Sequence, residues 1–205
     1  MKLEDSHYGV NIRRYLESDD GEQVLRNFIE SFSCPKNPDI EHFLKHNAIE
    51  FTKKQQSVTY LVLSKETPGL LMGYFALTVK PLKIGVKDIP SNTWRRKIER
   101  VARFNEETQT YSAAGYLIAQ LGKNFTGGAN ERITGKELLN IALDTVYDIQ
   151  DMAGGMIAFL DAENNNSLTE FYTHNGFHLI SDINSPREEM LQFYRMIQPA
   201  DFHLT

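Results

Sequence analysis

Strands alternating with helices predict an α/β domain built on a mixed sheet. Three observations carry this expectation. Two apolar runs at helical spacing precede the first strand-like segment. β-Branched and aromatic runs then recur between helical stretches. The strongest helical pattern in the chain, at about 133–150, lies directly between two such runs.

The first helix is carried by Val24, Leu25, Phe28, Ile29 and Phe32, with Asp20 as its expected cap. Pro35 and Pro38 break it, and a second helix turns Ile40, Phe43, Leu44, Ala48 and Phe51 to one face. Val58, Thr59, Tyr60, Leu61, Val62 and Leu63 form a buried strand, and the turn Thr67, Pro68, Gly69 returns the chain into a second strand over 70–79. Residues 80–92, with Pro81 and Pro90, read as irregular. Asn92 or Thr93 then caps a short helix with Trp94, Ile98, Val101 and Ala102 turned inward. A third strand at 116–121 leads through a glycine-bearing loop, 122–132, into the 133–150 helix. A strand at 155–160, a helix at 165–174 and strands at 177–180 and 190–197 close the chain.

The composition narrows the function classes. With 41 % hydrophobic and 24 % charged residues, the 205-residue chain is of globular type. We expect one domain over 1–205, with an N-terminal segment at 1–19 and an insertion at 80–111 that carries a basic helix. The one cysteine, Cys34, excludes an internal disulfide framework and a cysteine-based zinc cluster, and it fits a cytoplasmic location. Its expected role is packing at a helix end. No apolar run is long enough to span a bilayer, and the polar start lacks a secretion signal. The net charge of −5 argues against bulk coating of nucleic acid, while leaving room for a local basic patch. Arg95, Arg96, Lys97, Arg100 and Arg103 against Glu99 make one such run, which reads either as a solvated helix face or as a surface for an anionic partner.

Chemistry is concentrated between 116 and 150. A strand, a loop and a helix start together present free backbone N–H groups and the positive end of a helix dipole, which suits phosphate. Lys123, Arg132 and Lys136 add cations around the loop. It is not a Walker A loop: Asn130 stands where the first glycine is required, and Glu137 where Ser or Thr is. Nor do Gly122, Gly127 and Gly128 give a dinucleotide fingerprint. The plain alternative is an ordinary strand-to-helix connection. Downstream, Asn165 begins a helix, the pair Phe171-Tyr172 lies near its end, and Gly176-Phe177 opens a strand.

Strand, loop, helix, strand and then N-x-x-x-x-x-F-Y-x-x-x-G-F resembles the GCN5-related N-acetyltransferase family over roughly 34–197. The resemblance implies a mixed, mostly antiparallel sheet with a splayed central strand pair and helices on both faces. It implies an acetyl-CoA-dependent N-acetyltransferase that passes the acetyl group directly to an amine in a ternary complex, with no metal. The family's pyrophosphate loop, [QR]-x-x-G-x-[GA], aligns on Asn130, Glu131, Arg132, Ile133, Thr134 and Gly135, and only the last glycine fits.

On this alignment Asn130, Arg132, Ile133, Thr134, Gly135 and Lys136 hold the pyrophosphate, and Leu121, Gly122 and Lys123 offer strand backbone to pantetheine. The donor is expected between strands 116–121 and 155–160. Asn165 matches a pantetheine-contacting asparagine or is a plain cap. Tyr172 matches the general acid that protonates the departing thiolate, or is a core tyrosine with a bonded hydroxyl.

Glu99, Glu106, Glu107 and His174 are open as bases, without an assignment. His7, His42, His46, His178 and His203 show no ligand spacing for a metal.

A narrower resemblance joins Cys34, segments 57–63 and 73–77, and Leu117 to Gly122 to the subgroup that contains tRNA-acetylating toxins. The expected acceptor is an amine on a small molecule or protein, and a homodimer is compatible with it. The amine of aminoacyl-tRNA is the alternative, with the acidic total and the 80–111 insertion weighing against nucleic acid. A non-catalytic CoA-binding or interaction module is the third reading.

Overall fold

A computed structural model describes residues 7–181 and 190–197. The elements in chain order are β1 (His7–Asn11), α1 (Arg13–Leu16), α2 (Gly21–Glu30), α3 (Pro38–His42), a π-helical turn at Phe43–Asn47, α4 (Ala48–Lys53), β2 (Val58–Ser64) and β3 (Leu71–Gly85). There follow α5 (Asn92–Ile98), β4 (Arg103–Asn105), β5 (Thr110–Lys123), α6 (Gly135–Ala153), β6 (Ile157–Glu163), α7 (Asn166–His174), β7 (His178–Ile180) and β8 (Met190–Met196). The strand order is β1-β2-β3-β5-β6-β8-β7, with β4 beside β5. The pairings β1–β2, β2–β3, β4–β5, β6–β8 and β7–β8 are antiparallel, and β5–β6 is parallel. This is the mixed, mostly antiparallel sheet that the resemblance implies.

The chain divides into two compact units, Met1–Thr78 with Ala119–Asp144, and Val79–Ile118 with Thr145–Thr205. In the first, α2 and the chain just after it, the π-helical turn and α4 bury Leu25, Ile29, Phe32, Leu44 and Ile49 against Leu61, Leu63, Leu71 and Tyr74 of β2 and β3. Cys34 belongs to this core, and burial pushes its thiol pKa up, as suits a packing residue rather than a nucleophile. Gly73 and Gly122 bring β3 and β5 close: a Cβ on Gly73 would stand 2.6 Å from the Gly122 carbonyl, and one on Gly122 2.3 Å from Ile40 Cγ2. In the second unit, Leu82, Ile84, Ile98, Tyr111, Ile157, Phe159, Tyr194 and Met196 form the core.

Several expectations are corrected. β1 arises in a stretch read as a polar N-terminal segment, because Val10 and its neighbours pair with β2 rather than follow an apolar pattern. β3 runs through Pro81 to Gly85, where irregular chain was expected, with Leu82 and Ile84 buried while Pro81 and Lys83 are exposed. β5 likewise begins at Thr110. Val101 is 41 % exposed rather than inward, because the helical turn ends before reaching it. Asp20 stands before α2 but its side chain caps nothing. Ser91, not Asn92 or Thr93, caps α5, accepting from the Trp94 N–H at 3.3 Å. His203 lies outside the described residues.

Candidate active site

Two sets of residues carry the expected chemistry, one in each unit. In the first, β5 ends at Lys123 and the chain turns through 124–134 into α6. Asn124 anchors that turn from a buried position. Its amide donates to the Leu71 carbonyl at 2.9 Å, and its side-chain oxygen accepts from the N–H groups of Ser33 (3.0 Å) and Thr126 (3.1 Å). Gly127 and Gly128 have φ of 60° and 74°, left-handed values that an L side chain resists. The Lys123 ammonium crosses the loop and donates to the carbonyls of Asn130 (2.8 Å) and Ile133 (3.1 Å). Lys123 therefore braces the loop instead of offering a free cation. The Arg132 guanidinium is exposed and donates to Thr67 Oγ1 at 3.0 Å, and Lys136 is exposed. Ile133 is buried, 1 % exposed, so its side chain fixes the loop to the core while its backbone turns toward α6.

Thr134 and Glu137 form a capping box. The Thr134 N–H donates to Glu137 Oε2 at 2.6 Å, and the Glu137 N–H donates to Thr134 Oγ1 at 3.1 Å. These bonds lower the Glu137 pKa, led by the Thr134 backbone N–H. The box leaves the first-turn N–H groups of Gly135 and Lys136 without intrahelical acceptors, free for an anion. It also puts a carboxylate at the same helix end. The Thr-x-x-Glu spacing writes a capping box into the sequence, although it matches no phosphate motif. Gly122 is covered by Ile40, and the Tyr74 hydroxyl donates to the Ile40 carbonyl at 2.6 Å. Leu121 is half-buried on the same strand.

In the second unit, the parallel ladder of β5 with β6 is two pairs long, Tyr116 with Ala158 and Leu117 with Phe159. Yet β5 runs on to Lys123 and β6 to Glu163. Gly115 makes room for this join, since a Cβ there would meet Phe159 Cδ1 at 2.8 Å. α7 follows β6. Asn165 is its cap, accepting from the Leu168 N–H at 2.8 Å, so the plain-cap reading describes its side-chain oxygen.

Tyr172 lies on the inner face of α7, 8 % exposed, among Phe171, Phe177 and Phe193 at ring separations of 5.1, 5.8 and 5.6 Å. Its hydroxyl makes no hydrogen bond among the described residues. Burial pushes its pKa up to about 12. A core tyrosine kept for packing normally bonds its hydroxyl. This one keeps a protonated donor unspent.

The candidate bases divide. Glu99 accepts from the Tyr111 hydroxyl at 2.8 Å and from Arg95 at 3.1 Å, and the Tyr111 bond chiefly holds its carboxyl pKa down. That makes it a poor base. His174 Nδ1 donates to the Glu170 carbonyl at 2.7 Å, and Glu106 and Glu107 are exposed in the turn before β5. Among the described residues, no group of three or more His, Cys, Asp or Glu could hold a metal. No helix among them is long and apolar enough to cross a membrane.

No protein-family model matches the chain, and no curated protein matches it in sequence. Solved structures match it in fold. AtaT complexed with acetyl-methionyl-tRNAfMet superposes with a TM-score of 0.62 at 17 % identity, covering 91 % of this chain and 94 % of that one. The fold is that of the GCN5-related N-acetyltransferases. A tyrosine-to-phenylalanine mutant of KacT gives 0.61 at 19 % identity, covering 92 % and 94 % of the two chains. AtaTR bound with acetyl-CoA gives 0.54 at 15 %, covering 92 % and 93 %. The likeness extends over nearly the whole length of each chain.

Proposed function

We propose that this protein is an acetyl-CoA-dependent N-acetyltransferase and that its acceptor is the amine of an aminoacyl-tRNA. The observation that carries the chemistry is the hydroxyl of Tyr172, carried on a buried ring and without a hydrogen-bond partner among the described residues. The acceptor rests on fold likeness to AtaT, solved with an acetylated methionyl-tRNA, and on the local positive excess of the 80–111 segment.

The bound donor supplies an activated thioester. The Gly135 and Lys136 N–H groups, with Arg132 and Lys136 side chains, would take its pyrophosphate charge. The backbone at Leu121, Gly122 and Lys123 would pair with its pantetheine. The acceptor nitrogen attacks the thioester carbonyl carbon, the C–S bond breaks, and the sulfur leaves with the bonding pair. The proton lost by the nitrogen balances the one gained by sulfur.

Tyr172 would donate a hydrogen bond to the departing sulfur. A hydroxyl of pKa about 12 is a weaker acid than a thiol near 8.5. Full transfer of its proton to thiolate is therefore uphill by about 5 kcal/mol. The general-acid role is thereby narrowed to charge stabilisation by a donor that stays protonated.

The test is direct. Acetyl-CoA should raise the melting temperature, and labelled acetyl groups should appear on charged tRNA and not on uncharged tRNA. No thermal shift at millimolar acetyl-CoA would end the donor assignment. Label confined to small amines or proteins would keep the chemistry and end the tRNA acceptor.

A further inference from the structure

The basic run singled out in the sequence is not among the residues assigned to the donor, and the structure gives it a definite form. Between residues 79 and 118, eight Lys and Arg stand against four Asp and Glu, in a chain whose net charge is −5. The excess is built on ordered backbone. α5 is capped by Ser91 and held from beneath by Ile98, which is fully buried, and by Trp94, whose ring meets His178 edge-on at 4.6 Å. Arg96 is exposed on α5 between the inward Trp94 and Ile98, and Arg100 is exposed in the turn that continues the helix, its N–H donating to the Lys97 carbonyl at 3.2 Å. The turn after α5 is also hydrogen-bonded, Ala102 N–H to the Ile98 carbonyl at 2.9 Å, which leads to the exposed Arg103.

The single acid inside the run is turned mainly to other partners, with only a weaker electrostatic pull on Arg96. Glu99 is spent on Arg95 and on the Tyr111 hydroxyl. Arg96, Arg100 and Arg103 form no salt bridge among the described residues. The surrounding aromatics, Trp94, Phe104 and Tyr111, are turned into the core of the unit, so this basic surface lacks the aromatic anchor on which a protein interface centres. Exposed guanidinium groups without such an anchor suit phosphate groups, which they bind in pairs of hydrogen bonds, more than a folded protein surface.

We propose that the exposed arginines of α5 and of the segment that follows it, Arg96, Arg100 and Arg103, dock the phosphate backbone of a nucleic acid. The partner rests on the reading that the acceptor amine is carried on RNA, and these arginines would recruit that RNA by charge without reading its sequence.

The test measures binding of fluorescent tRNA to the full chain without acetyl-CoA, across a salt series, for wild type and Arg96→Gln/Arg100→Gln. Parallel arms use a DNA duplex and poly-glutamate. The control, Arg14→Gln/Lys54→Gln, removes the same charge from exposed sites in the other unit. We expect the Arg96/Arg100 variant to lose about 10-fold or more in affinity at low salt. Its log–log salt slope should shrink by about 1.4 to 1.8, as two phosphates go unneutralised at roughly 0.7 to 0.9 each.

The control and the acetyl-CoA thermal shift should be unchanged. A duplex bound as tightly as tRNA, with the same sensitivity, keeps the phosphate-docking surface and makes the partner nucleic acid in general. Any of four results overturns the proposal: no tRNA binding by wild type, an unaffected Arg96/Arg100 variant, an equal loss in the control, or poly-glutamate bound as tightly as tRNA. Because donor binding is read separately, failure here is distinguishable from failure of the acetyltransferase assignment. Arg96→Gln/Arg103→Gln repeats the test if the first pair lowers the melting temperature.

Discussion

Replacing Tyr172 by Phe separates the two roles a tyrosine can play at this position. The ring is held by Phe171, Phe177 and Phe193, and a phenylalanine ring packs against them in the same way. The hydroxyl has no hydrogen-bond partner among the described residues, so its removal orphans none of them. The variant should therefore be about as stable as wild type, with a melting temperature within about 2 °C of it in a chain of this size.

The chemical step should suffer, because a departing sulfur would lose its donor. A fall of roughly 10²-fold in kcat is expected, with acetyl-CoA affinity nearly constant. Calorimetry, a donor titration and single-turnover kinetics on one variant give all three numbers. Normal turnover would refute the catalytic role. A drop in melting temperature would refute the claim that the hydroxyl is unspent.

Alkaline stability gives an independent check on Tyr172. Its folded pKa, about 12, lies above the ordinary tyrosine value of 10.0, so the unfolded chain gives up this proton first. The stability it contributes is full below pH 10 and is lost as pH rises toward 12, by at most about 2.7 kcal/mol; Tyr172→Phe should flatten that fall in denaturant midpoints. Thr134→Ala breaks the capping box and should cost about 1 kcal/mol by chemical denaturation. Glu137→Gln keeps groups able to make both box hydrogen bonds but removes the carboxylate from the helix end, so acetyl-CoA should bind a few-fold tighter by calorimetry. Weaker binding would show that the carboxylate does not oppose the phosphates. Gly122→Ala places a Cβ 2.3 Å from Ile40 Cγ2 and should destabilise by about 1 to 3 kcal/mol, with Ile40→Ala restoring part of the loss.

What could be read from residues alone were the features that act locally. Helical spacing in 133–150, the β-branched run at 58–63 and the Asn165 to Gly176 signature each write their own conformation. So the alternation of elements, the α/β class and the likeness to acetyltransferases were all legible. The place of Tyr172 near the end of a helix was legible too, from the F-Y pair before a glycine. The capping box stands in the sequence as Thr134-x-x-Glu137, but a local pattern carries no sign of which anion its helix end serves.

Tertiary structure decided the rest. β1 and the outer half of β3 have weak patterns of their own. They become strands because backbone N–H and C=O groups of a neighbouring strand need partners, a requirement no single segment records. Lys123 looks like a phosphate ligand in sequence. It is a brace because the loop folds two carbonyls back to within hydrogen-bond reach of it. Whether a hydroxyl is spent or unspent is likewise a property of what surrounds it. The sequence could place Tyr172 on a helix. Only the packing of three phenylalanines around its ring, with no acceptor beside its oxygen among the described residues, set its pKa and left its proton available.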